Sequence, residues 1–227
     1  MKKLILFFTA IALVLVGCEK EPIQQGEIVY EITYPYSELN GIMDVMLPKK
    51  MTAVFKGDKM IASIEKSKVF RTDIVSEGSI QEIKMRLDFG SENIEAVLTP
   101  EDLSTLQNNQ PSYEVSSLVK TDTIAGLEAN FYTATSKNES VGEFACAFSN
   151  NLSLKSSEWF SSYTGTEGIP LMYVMERYGI IMHLRAKSFR SREVKDSEFN
   201  AAQNFKNVSY KKYEKKVNEL FELIIEE

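Results

Sequence analysis

Residues 81–89 read QEIKMRLDF. Ile83, Met85, Leu87 and Phe89 occupy alternate positions, and Glu82, Lys84, Arg86 and Asp88 fill the places between them. Successive side chains of an extended chain point to opposite faces, so this stretch predicts a strand with one apolar face buried and one charged face toward water. The same period recurs on both sides of it. Ile28, Tyr30, Ile32 and Tyr34 alternate with Val29, Glu31 and Thr33, and similar runs occupy 51–56, 59–65, 68–75, 93–98, 127–135, 142–149, 170–176 and 179–188. Turn residues separate them, most plainly Lys56-Gly57-Asp58-Lys59 and Arg177-Tyr178-Gly179. About ten consecutive strands with few helical interruptions imply a mainly β, α+β chain built on a large antiparallel sheet. A sheet that wide must curl, which predicts a curved sheet or an unclosed β-barrel.

Two stretches break the period of two. Thr99-Pro100-Glu101-Asp102 begins a helix, with a capping hydroxyl, proline at the first position and acids in the first turn, and runs to about Asn108. Near the C-terminus Tyr210, Tyr213, Val217, Leu220, Phe221 and Ile224 recur at three and four residues among lysines and glutamates. That spacing predicts an amphipathic helix over 211–226 whose apolar stripe packs on the sheet, or else lies on a membrane surface.

The N-terminus has a different character. Lys2 and Lys3 precede an apolar run, Leu4 to Val16, interrupted only by Thr9, and the run ends at Gly17-Cys18. It is shorter than the roughly 20 residues a transmembrane helix needs, and reads as a signal peptide over residues 1–17. The ending Leu15-Val16-Gly17-Cys18 resembles the bacterial lipobox. That resemblance implies cleavage before Cys18, with diacylglycerol on its sulfur and an acyl chain such as palmitate on its amine, enough for stable anchoring. Residues 18–25 then form the lipidated N-terminus and a polar tether, and residues 26–227 a single β-rich domain. Glu19-Lys20-Glu21 resembles in part the signals that send Bacteroidetes lipoproteins to the cell surface.

Losing the two leader lysines takes the net charge from −6 to −8, with 32 acidic side chains unchanged. So acidic a domain is a poor partner for nucleic acid, whose phosphates need clustered Lys and Arg. Cys146 has no second cysteine to pair with in the lipidated chain, so the domain must be stable through its core alone.

The sequence holds no catalytic constellation. His183 is the only histidine and falls with Ile181, Arg185 and Lys187 on the polar side of its strand. Cys146 lies between Phe144 and Phe148 on one face, where a thiol is a small buried hydrophobe rather than a nucleophile. The carboxylates are scattered, and Asp44, Asp58, Asp73 and Asp88 lack calcium-loop spacing. The chain is therefore expected to be non-enzymatic, with no cofactor and no metal. Asp122-Thr123-Ile124 resembles a Bacteroidetes O-glycosylation acceptor, which makes Thr123 a candidate modification site. Methionines and aromatics crowd the strands, and Met85, Leu87, Phe144, Phe148, Met172 and Met182 are candidate lining for a hydrophobic ligand. The alternative for the same residues is ordinary core.

The order of features in the second half is similar to an uncharacterised domain family of exported Bacteroidetes proteins. Thr123-Ile124-Ala125-Gly126, the strand around Phe131-Tyr132, Cys146-Ala147-Phe148, Gly168-Ile169-Pro170-Leu171-Met172-Tyr173 and Asp196-Ser197-Glu198-Phe199 carry the resemblance. Gly26-Glu27-Ile28-Val29-Tyr30 and Phe55-Lys56-Gly57-Asp58-Lys59 fit it as well, and Met182 and Ala186 hold family positions. The resemblance implies a LolA-like fold, an unclosed barrel with helices on its concave side, where such carriers receive acyl chains. It brings no catalytic residues. The expectation is a lipid-anchored envelope protein of the outer membrane, on its periplasmic face or at the cell surface, binding a hydrophobic or lipidated ligand. The alternatives are an assembly lipoprotein acting through envelope protein partners and, third, a hydrolase.

Overall fold

The computed structural model describes residues 22–35, 45–66, 69–137, 139, 141–154, 162–164, 166, 168–200 and 205–225. Cys18, the leader and the start of the tether lie outside these residues, as does Met43. The first part of the chain is a meander. Strands β1 (Gln25–Thr33), β2 (Lys50–Lys56), β3 (Lys59–Lys66), β4 (Phe70–Glu77), β5 (Glu82–Phe89) and β6 (Glu92–Val97) each pair antiparallel with the next. Helix α1 (Pro100–Asn109) follows. Then come β7 (Tyr113–Val115), β8 (Lys120–Ile124), β9 (Leu127–Thr135), β10 (Glu143–Ser149), β11 (Tyr163–Thr164), β12 (Ile169–Arg177), β13 (Ile180–Arg190), β14 (Lys206–Asn207) and helix α2 (Tyr210–Ile225).

One long-range pairing joins the two halves. β13 runs antiparallel to β1, with Glu27 opposite Arg190 and Thr33 opposite His183. The described strands thereby form one 14-stranded sheet in the order β11, β7, β9, β10, β12, β13, β1, β2, β3, β4, β5, β6, β14, with β8 also paired to β9. The end strands β11 and β14 pair only inward, so the sheet is unclosed. Registers slip at Val29/Tyr30 and at Ala147/Phe148. Such bulges bend a strand and raise its local twist.

The alternation that begins in residues 81–89 organises the core. Ile83, Met85 and Leu87 of β5 are buried with Tyr30 and Ile32 of β1, Phe55 of β2, Ala96 of β6 and Leu184 of β13. α2 covers this inner face, and its Tyr213, Val217 and Leu220 belong to the same cluster. The Tyr213 hydroxyl donates to the Arg86 carbonyl at 3.4 Å. α1 begins as its sequence predicts: Thr99 Oγ1 accepts from the Asp102 amide at 3.2 Å and Asp102 Oδ2 accepts from the Thr99 amide at 3.0 Å. Residues 22–25, read as the end of the tether, are held on the domain. The Ile23 amide donates to the Asn151 carbonyl at 2.8 Å, and Gln25 opens β1.

The outer face departs from its expected exposure at one place. Arg86, on the charged side of β5, is buried; its Nε donates to Glu95 Oε2 at 2.6 Å and its Nη1 to the Phe199 carbonyl at 3.1 Å. The cause is the segment after β13, which folds back so that Val194 and Phe199 bury Ile61 and Val75 from outside. Its fastening is ionic. Arg192 donates to both oxygens of Glu198, at 3.0 and 2.7 Å, and its Nε to Glu27 at 3.1 Å. The Lys195 amide also donates to Glu198, at 2.9 Å.

Two expectations follow. Arg86→Ala leaves Glu95 and the Phe199 carbonyl without their donor under cover and should lower stability by about 3–5 kcal/mol. Urea unfolding checks this, with the exposed Lys187–Glu31 pair as the control whose removal leaves the midpoint in place. The Arg192 contacts and the Lys195 amide lower the pKa of Glu198 from 4.5 to about 2. A carboxyl depressed on folding stabilises the fold above its unfolded pKa and loses that contribution as pH falls through its folded pKa. The melting temperature should therefore decline more steeply between pH 4.5 and about 2 in the native chain than in Glu198→Gln.

Candidate functional site

β10 and β12 pair over a short stretch and then separate. Ala147 lies opposite Met172, Phe148 opposite Pro170 and Ser149 opposite Ile169, with the bulge between. Gly168 permits this approach: its φ is +94°, and an added Cβ would lie 2.4 Å from both the Ser149 carbonyl oxygen and Asn150 Oδ1. Beyond Met172 the pairing with β10 ends, and Val174 would present an unpaired amide and carbonyl on that side. The Tyr163 hydroxyl answers both. It accepts from the Val174 amide at 2.8 Å and donates to the Val174 carbonyl at 2.7 Å. Its ring lies 4.8 Å from that of Tyr113 and 5.4 Å from that of Phe148, within a second apolar cluster that includes Phe144 and Cys146. Burial raises the pKa of the Tyr163 hydroxyl, so it remains a neutral donor and acceptor.

A cavity of about 720 Å³, partly open to solvent, lies beside this seam. Met51 and Ala53 of β2, Met60 and Ala62 of β3, Ile74 of β4, Tyr30 of β1, and Tyr173 and Met175 of β12 form its apolar wall. Leu106 at the end of α1 and Tyr210 of α2 also line it. Val174 and Glu176 contribute although they alternate along β12 with Tyr173, Met175 and Arg177. A continuous sheet would keep those two sets apart. The separation of β10 from β12 brings both to one space.

Polar groups gather at the turn between β12 and β13. Arg177 Nη2 donates to Glu214 Oε1 at 3.1 Å, and the Tyr178 hydroxyl donates to the same oxygen at 2.9 Å. Tyr178 takes a positive φ of 53° and stacks on Phe221 with ring centroids 5.1 Å apart. Glu176 accepts from the Tyr113 hydroxyl at 3.0 Å and from Ser136 Oγ at 3.1 Å. Deeper in, the Tyr30 hydroxyl donates to the Pro170 carbonyl at 2.8 Å, and among the described residues the Tyr173 hydroxyl finds only Met51 Sδ, at 3.9 Å.

The six residues singled out from sequence as lining are all buried, and none of them lines this cavity. Met85, Leu87, Met172 and Met182 belong to the main core, and Phe144 and Phe148 to the second cluster. Alternation identifies an inner face, whereas the lining depends on which part of that face the helices leave uncovered. Met51, Met60 and Met175 carried the same thioether signal and do line it. The aromatic and ionic groups Tyr163, Tyr173, Arg177 and Glu214 had no motif to mark them. Cys146 is buried, its Sγ 3.8 Å from the Tyr132 carbonyl oxygen, and burial pushes its pKa up to about 12. His183 is half-buried beside Arg185; burial first and the guanidinium second lower its pKa. Thr123 is exposed on β8, its amide donating to Asp122 Oδ1 at 2.8 Å. Among the described residues no group of three or more His, Cys, Asp and Glu is placed to hold a metal ion.

No family model matches the chain, and no curated protein matches it in sequence. Among solved structures it is similar to a LolA superfamily protein from Nitrosomonas europaea, at 15% identity over 79% of this chain and 91% of that one, with a TM-score of 0.33.

Two measurements probe the seam. Tyr163→Phe keeps the ring contacts and strips both hydrogen bonds from Val174, so unfolding in urea should show a loss of about 1–3 kcal/mol. In a Cys18→Ser chain, Cys146 should resist iodoacetamide at pH 8 while the protein is folded and react once it is denatured.

Proposed function

We propose that this chain is a lipid-anchored, non-enzymatic envelope protein that holds a hydrophobic or lipidated ligand in the cavity beside β12. The cavity carries the reading. Its volume falls within the roughly 300–1,000 Å³ of small-molecule sites, and its wall along β2, β3 and β12 is largely apolar, with ionic groups at the β12–β13 turn and amide side chains at the end of α1. Thioethers from three strands, Met51, Met60 and Met175, give that wall a surface that adapts to a flexible chain.

The anchor rests on the sequence around Cys18, a charged start, a short apolar run and Leu-Val-Gly-Cys. The five residue-to-residue steps from Cys18 to Ile23 can extend no further than roughly 18 Å, at up to 3.6 Å each. A lipidated Cys18 would therefore keep the domain against its membrane. An outer membrane placement, on either face, accords with this arrangement and with an acidic domain that has no use for nucleic acid.

Delipidated protein incubated with envelope lipid extract should carry acyl ligands when examined by native mass spectrometry, and Ala62→Trp, which fills the cavity from β3, should abolish the adduct without lowering the melting temperature. Adducts that survive Ala62→Trp, or their absence from the native chain, would contradict the cavity's role. Cys18→Ser should lose metabolic palmitate label and move from the membrane to the soluble fraction; label retained in that variant would contradict the anchor.

A further inference from the structure

The polar end of the cavity holds a cation whose donors are not all used among the described residues. The Arg177 side chain is 18% exposed. Its Nη2 donates to Glu214 Oε1 at 3.1 Å and lies 3.4 Å from Met85 Sδ, and its guanidinium sits 4.9 Å from the centroid of the Tyr178 ring. Among the described residues, Nε and Nη1 have no acceptor. A guanidinium carries five N–H donors, and leaving several unmatched under cover is unfavourable unless something else accepts from them.

The neighbouring acids are differently placed. Glu214 accepts from Arg177 and from the Tyr178 hydroxyl. Its charge is thus matched within the protein. Glu176, which also lines the cavity, is engaged by two donors, the Tyr113 and Ser136 hydroxyls. The unmatched polarity of this end is positive and donor-rich. Tyr178 supports that arrangement: a non-glycine residue at positive φ is uncommon, and here the stack on Phe221 and the bond to Glu214 keep it in place beside the guanidinium.

Size narrows the occupant further. If a methylene takes about the volume of a water molecule, roughly 30 Å³, then 720 Å³ admits one long chain with its head and not the several chains of a full lipid. We propose that the occupant is a single-chain amphiphile with an anionic oxygen head, a carboxylate or a phosphate, received by Arg177 while its chain lies along Met175, Met60 and Met51. This rests on the cavity's being a ligand site.

The experiment compares three probes of one chain length on the detergent-extracted, delipidated full chain, below their micellar concentrations: oleate, oleoyl lysophosphatidate and the uncharged mono-oleoylglycerol. Calorimetric titration should give an affinity for at least one anion roughly tenfold above that for mono-oleoylglycerol, as a charge-assisted hydrogen bond implies, and the tighter anion identifies the head. In Arg177→Gln the anion should fall to the level of the uncharged probe, whose own affinity stays the same. Equal binding of all three probes by the native chain overturns the anionic head and leaves the cavity reading standing; binding of none overturns both. A preference for anions that persists in Arg177→Gln also overturns the assignment. Should that variant not fold, the comparison among probes on the native chain still decides.

Discussion

A backbone amide and carbonyl that leave a β-ladder must find other partners, and at Val174 one tyrosine hydroxyl supplies both. The Tyr163 contacts at 2.8 and 2.7 Å allow β12 to leave β10 after a short pairing without exposing unmet polar groups to an apolar interior. Much of the site depends on that exchange. Because the strands separate, side chains from both faces of β12 reach one space, and the aromatic series Tyr30, Tyr173, Tyr163 and Tyr113 becomes continuous from the main core to the second cluster. Gly168 holds the two strands together at the other end of that short pairing, since no side chain fits against Ser149 and Asn150 at that point.

The rest of the architecture keeps this opening from collapsing or spreading. β1 zips the two halves into one sheet through β13, and the Arg192–Glu198–Glu27 contacts tie the chain after β13 to the outer face of that zip. On the inner face α2 packs its Tyr213, Val217 and Leu220 stripe against the core while Tyr210 and Glu214, on the same helix, turn toward the cavity. One helix therefore serves as a cover for the core and as a partner for Arg177 and Tyr178. A curved sheet filled along most of its inner face and left open along one stretch follows from where the helices end.

Much of this fold was legible in period-two patterning. The strands foreseen at 51–56, 59–65, 81–89, 127–135 and 179–188 lie within a residue or two of β2, β3, β5, β9 and β13, and the capping signal at Thr99 and the stripe from Tyr210 locate both helices. The strands that escaped are too short for alternation to show or lack an apolar face. β7 has three residues, β11 and β14 have two each, and β8 reads KTDTI with four exposed residues. Lining was less legible than fold for a related reason. Met85 and Met60 look alike in sequence, both on the inner side of a strand, yet α2 packs over β5 and a gap stands over β3; the difference arises from tertiary placement alone. Arg86 likewise reads as a solvated charge until Phe199 returns from more than a hundred residues away to cover it.

The central claim is that a ligand occupies the space along β2, β3 and β12 and not the packed core next to it. Methionine methyl resonances of protein labelled with ¹³C at Met Cε, recorded as oleate is added, test this residue by residue. The account predicts that Met51, Met60 and Met175 shift while Met172 and Met182 stay in place, with Met85, 3.4 Å from Arg177 Nη2, following the head. Shifts confined to Met172 and Met182, or no shift at any of these five, would contradict it.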